Sequence, residues 1–87
     1  MLIRSQDKSR LINLNNTREL RFWECAQGFN ITDCVCSIGH YSTEAKAMKV
    51  LDMIQKRYEE CEAERIYKEG VFKIETFQMP EDSEVEI

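Results

Sequence analysis

The sequence predicts an α+β domain: an antiparallel β-meander of about four strands, one amphipathic helix packed on one face, and a C-terminal strand, in the order ββββαβ. Three observations predict it. The segment from Ser42 carries the apolar period of a helix. The residues before it hold runs of strand formers separated by polar turn signals. A run after it alternates Val71, Lys73, Glu75 and Phe77 with Phe72, Ile74 and Thr76. Packing helix on sheet in two layers buries both apolar surfaces.

The elements follow in order. Residues 1–5 are a short apolar start, and Gln6, Asp7, Lys8 and Ser9 are turn-like. Leu11, Ile12 and Leu14 form a second apolar run, closed by Asn15 and Asn16, which tolerate left-handed backbone. These pieces predict a first hairpin. Residues 19–26, with Phe22 and Trp23, and residues 32–38, with Val35 and Ile38, predict a second, its turn at residues 27–30. Gly39 then releases the chain into the helix, with Ser42 or Thr43 as N-cap and Glu44 at the positive end of the dipole. At about 100° per residue, Ala47, Val50, Leu51, Ile54, Tyr58 and Cys61 share one arc, and Lys49, Asp52, Lys56 and Glu59 lie opposite. Met48 and Met53 sit at the margins of the arc. Asp52 and Lys56 are spaced for an ion pair. Crowded charges predict fraying past Cys61, with Gly70 as the stop. Residues 71–77 add a strand ended by Pro80.

A chain of 87 residues makes one domain, here residues 1–79, with residues 80–87 as a mobile acidic tail. The net charge of −4 lies in that tail, in Glu81, Asp82, Glu84 and Glu86; without them acids and bases balance at 12 each. A neutral body lacks the electrostatic term that drives nucleic-acid binding, so nucleic acid is not the expected partner. No stretch approaches a membrane span, and charges occupy the place of a signal peptide's apolar region. The expectation is a cytoplasmic protein with no membrane association and reduced cysteines.

Several constellations invite chemistry. Cys25, Cys34, Cys36 and His40 make a Cys₃His zinc set on paper, but Cys-Val-Cys is tighter than the usual knuckle. Reduced cysteines serving as small core hydrophobes are the simpler reading. His40 and Cys36 could form a Cys–His pair, yet no third orienting group accompanies them apart from Glu44, and no known catalytic set is present. Gly28, Gly39 and Gly70 stand too far apart for a phosphate-cradling loop. Arg18, Arg21 and Trp23 form a basic–aromatic group able to stack on single-stranded nucleic acid. On a strand, Arg21 and Trp23 share a face and Phe22 takes the other, so one of the two aromatics belongs to the core. An open sheet edge would also permit a homodimer.

The opening Met-Leu-Ile-Arg-Ser-Gln-Asp-Lys, followed by Leu-Ile-Asn-Leu-Asn-Asn, resembles a group of short uncharacterised proteins of Firmicutes and their phages or prophages. Residues 39–55, with Tyr-Ser-Thr-Glu and Ala-Met-Lys-Val-Leu-Asp-Met-Ile-Gln, resemble the group's second block, and Phe77-Gln78-Met79-Pro80 its third. The resemblance implies relatedness but no activity. Members tend to carry an acidic residue where this chain has Ala45, and fewer cysteines in the middle hairpin, which counts against a shared zinc site. The expected function is therefore a non-enzymatic, phage-encoded protein-binding domain without cofactor or metal. Its alternatives are a nucleic-acid-associated regulator using Arg18, Arg21 and Trp23, and a small zinc module.

Overall fold

The computed structural model describes residues 1–33, 36–67 and 76–86, with residues 63–67 as backbone only. Strands β1 (Leu2–Arg4) and β2 (Leu11–Asn13) lead to a 3₁₀ turn at Leu14–Asn16. Strands β3 (Arg21–Cys25), β4 (Gly28–Thr32) and β5 (Ser37–Tyr41) precede helix α1 (Glu44–Tyr67). Strand β6 (Thr76–Gln78) and a 3₁₀ turn at Asp82–Glu84 complete the chain. The class is α+β, as the sequence predicts.

The single meander is corrected. The described strands form two three-stranded sheets, β2-β1-β6 and β3-β4-β5. The first hairpin stands as expected, with Ile3 opposite Ile12, both buried. Its turn is held by Asp7, whose Oδ1 accepts from Ser5 Oγ (2.7 Å), Ser9 N (3.0 Å) and Ser9 Oγ (2.7 Å). These bonds hold the Asp7 carboxyl down at about 2. After β2, the chain turns away instead of pairing on: Thr17 bonds back through Oγ1 to Asn13 O and through N to Leu14 O. The outer place beside β1 goes to β6, which runs parallel to it with Phe77 opposite Ile3. Of the strand expected at 71–77, residues 71–75, like Gly70, lie outside the described residues.

The second hairpin turns earlier than expected. Ala26 and Gln27 are its two-residue turn, because Cys25 pairs with Gly28, and residues 28–32 are strand. Gly28 closes the turn at φ +141°, a backbone conformation that favours glycine. Gly39 lies inside β5, not at a junction, opposite Ile31.

The helix buries the arc its spacing predicts. Ala47, Val50 and Ile54 are buried, Leu51, Tyr58 and Cys61 are half-buried, and Lys49, Asp52, Lys56 and Glu59 are exposed. Thr43 is the N-cap, its Oγ1 accepting from Lys46 N at 3.2 Å. The helix continues past Cys61 to Tyr67. Its exposed side carries Gln55 bonded to Glu59 and Arg57 paired with Glu60. One core unites the helix with Ile3 and Ile12 of the first sheet, Ile31, Ile38 and Tyr41 of the second, and Met79 and Val85 beyond β6.

Residues 80–86 do not hang free as a tail. Val85 is buried, and the side chain of Asp82 accepts from Ser42 N (2.8 Å) and Ser42 Oγ (3.1 Å) at the start of the helix. Lys46 Nζ donates to Asp82 O at 3.0 Å and lies 3.5 Å from the carboxylate. The Ser42 backbone bond, more than the lysine charge, holds the Asp82 carboxyl below its usual range. Tyr41 Oη donates to Pro80 O at 2.8 Å. Burial, with Glu81, Asp82 and Glu84 nearby, pushes that phenol far above its ordinary range, so it remains a donor.

Gln6 ties these parts together. Its N–H donates to Ile38 O (2.8 Å), and its Oε1 accepts from His40 N (2.8 Å). Its Nε2 donates to His40 O (3.1 Å) and to Pro80 O (3.1 Å).

Three outcomes are expected. Gly28→Ala would set a Cβ 2.6 Å from Tyr41 O at a strained φ, and should cost at least about 2 kcal/mol in urea unfolding. Gln6→Glu replaces the donating amide by a carboxylate facing His40 O and Pro80 O, and should cost about 1–3 kcal/mol at neutral pH. That deficit relative to wild type should narrow as the glutamate is protonated and regains a donor. Because the Asp7 and Asp82 carboxyls are depressed, the stability they contribute is complete above the ordinary carboxylate range near pH 4 and is lost as pH falls below it. Acid titration of the unfolding midpoint should show this decline, and Asp82→Asn should make it shallower.

Candidate interaction surface

Strand alternation presents Arg21, Trp23 and Cys25 on the outer face of the second sheet and turns Phe22 inward. Phe22 is half-buried and meets Phe29 edge-on, with ring centroids 6.1 Å apart at 66°. Trp23 remains 55% exposed. Of the two neighbouring aromatics, one is therefore core and one surface, as the alternation requires.

Register builds the rest of the face. Trp23 stands opposite Asn30, and Asn30 opposite His40, so these side chains form one row across β3, β4 and β5. Arg21, Thr32 and Ser37 form the next row, where a register shift between Ile31 and Thr32 bends the sheet. His40 Nδ1 lies 2.7 Å from Asn30 Oδ1. An amide oxygen only accepts, so Nδ1 carries the proton in this contact. Arg21, Trp23, Asn30, Thr32, Asp33 and Ser37 line a depression of about 260 Å³. Its rim is fixed by Asp33, which accepts from Cys36 N at 2.7 Å and pairs with Arg10 at 3.5 Å. A smaller depression of about 120 Å³, beside Gln6, Asp7 and His40, borders the joint between the sheets.

The residues singled out in the sequence are sorted by this geometry. Arg21 and Trp23 are brought together on the face. Arg18 is exposed but lies on a bend before β3, off the sheet. Cys25 sits beside Gly28 and donates to its carbonyl at 3.3 Å, whereas Cys36 lies next to Ser37 at the other end of β4. Four strand steps separate those ends, about 13 Å at 3.3 Å per residue, too far for one metal ion. Cys34 lies outside the described residues, and among the described residues no three His, Cys, Asp or Glu side chains gather to hold a metal. His40 is on a strand, not at its junction with the helix, and its Nδ1 faces Asn30 rather than Cys36. Asn30, Thr32 and Ser37 complete the face although the sequence did not single them out. Phe29 and Ile31, apolar at alternate positions around Asn30, were the available signal.

Comparison with protein-family models, with curated proteins and with solved structures finds no match to this chain. Among the described residues, no helix is long and apolar enough to cross a membrane. The face presents an exposed indole, a guanidinium and short polar side chains.

Proposed function

We propose that this chain is a non-enzymatic protein-binding module, cytoplasmic and phage-encoded, that meets its partner with the outer face of the second sheet. One observation supports the reading above others: Trp23, 55% exposed, stands beside Arg21 on an open sheet face over a polar depression. Tryptophan and arginine are the side chains that most often dominate binding energy at protein interfaces, because each covers a large area at a small entropic cost. The phage origin rests on the resemblance carried by residues 1–8, 11–16, 39–55 and 77–80. A second copy of the chain is one partner the module would accept.

A second reading is favoured by the same pair of side chains. Trp23 could stack on a base and Arg21 could contact a phosphate, with Arg18 nearby, as in binding of single-stranded nucleic acid.

Capture from host extract with wild type and Trp23→Ala should separate the two readings. A specific host protein should be retained by wild type and bound at least about 30-fold more weakly by the variant, as expected of a central anchor. Retention at equal strength by Trp23→Ala would overturn this choice of surface. Trp23 is the only tryptophan, so its fluorescence reports oligonucleotide binding directly. Quenching whose affinity falls steeply with added salt would favour the nucleic-acid reading, and no quenching would remove it.

A further inference from the structure

We propose that two copies of this chain pair through β3, antiparallel about a dyad at Phe22, so that the second sheet continues into a six-stranded sheet. The two edges of that sheet are unlike. The β5 edge is sealed, since Gln6 bonds Ile38 O, His40 N and His40 O. β3 is the other outer strand, and among the described residues no group bonds to its outward backbone.

The two-residue turn determines which groups those are. Cys25 and Gly28 close the hairpin as a hydrogen-bonded pair, so Arg21, Trp23 and Cys25 direct their backbone groups toward β4. The bond from Thr32 Oγ1 to Arg21 O agrees with this. Phe22 and Glu24 therefore direct their N–H and C=O groups to the open edge. β3 holds no proline, lysine or bulge, and of the devices against edge pairing it carries only the charges of Arg21 and Glu24.

The register follows from charge and face. A two-fold antiparallel pair keeps outer face with outer face only when the dyad falls on a residue. A dyad at Arg21 or at Glu24 sets like charges directly opposite. A dyad at Trp23 would bring Phe22 against Glu24 of the second copy, as a dyad at Phe22 brings Leu20 against Glu24, but it would set Trp23 against itself and leave Arg21 without an aromatic partner across the seam. A dyad at Phe22 brings Phe22 against Phe22 on the core side. On the outer side it sets Arg21 against Trp23 of the second copy, twice, as cation–π contacts. Those contacts fall at positions without direct backbone bonds, where side chains approach most closely. Phe22 exchanges both of its outward bonds with its own copy.

This inference rests on the reading of the chain as a protein-binding module and names one partner for it. The test is the mass of the full chain in solution, by sedimentation over a dilution series, with wild type, Glu24→Pro and Trp23→Arg. Wild type should give twice 10.3 kDa, dissociating on dilution. Glu24→Pro removes an outward N–H without touching the β4 ladder and should be monomeric with unchanged circular dichroism. Trp23→Arg sets arginine against arginine across the seam and should also be monomeric; it is a surface change, and carries the test if the proline variant fails to fold. A monomeric wild type at its highest soluble concentration, or a dimer that survives either folded variant, overturns the proposal. A monomeric wild type that still holds a host protein through Trp23 removes the dimer and leaves the module reading standing.

Discussion

The side-chain amide of Gln6 is the joint on which the fold depends. Each three-stranded sheet is small, and its strands are only 3 to 5 residues long. Sheets of that size need a shared core to be stable. Gln6 brings them into register by treating the edge of β5 as a ladder: its backbone N–H meets Ile38 O, and its amide meets both the N–H and the C=O of His40. A primary amide carries the same donor and acceptor as a peptide, so it closes a strand edge without requiring another strand. Its second N–H reaches Pro80 O, which draws the C-terminal segment to the same point.

That joint explains why the last residues are structured. Pro80 O is shared by Gln6 and Tyr41, Asp82 reaches the backbone of Ser42, and Met79 and Val85 enter the core. Glu81, Glu84 and Glu86 stay exposed while Met79 and Val85 join the core. Gln6 bonds the carbonyls of His40 and Pro80, and the backbone N–H of Ser42 bonds Asp82.

Period-based features were legible in the sequence. The helix arc was readable because burial on one side of a 3.6-residue repeat leaves a mark in every turn. The pairing of Arg21 with Trp23 on one face was readable because strand alternation has period two. Pairings between distant segments were not readable. Nothing local announces that Thr76 lies beside Leu2, or that a glutamine at position 6 replaces a strand beside β5. Gly28 misled for a local reason. It looked like a breaker, and it is the residue whose left-handed backbone closes the turn, so the strand begins on it. The acidity of residues 81–86 masked Val85, one apolar residue whose burial redirects the whole segment. For the surface, Arg21 and Trp23 came from alternation, but Asn30, Thr32 and Ser37 required the register, and Arg18 left the face because the strand starts after it.

The scaffold also confines where contact chemistry can sit. The inner face of the second sheet is covered by α1, and the β5 edge is closed by Gln6. The N-terminal turn is occupied by the bonds of Asp7 to Ser5 and Ser9. Among the described residues, what is left on the second sheet is its outer face and the β3 edge, and Trp23 belongs to both. An exposed indole there is costly to solubility and adds nothing to the core, because Phe22 already fills the inward position beside it. Among the described residues Trp23 is thus a large side chain that the core does not use, on a part of the second sheet that no other described element covers.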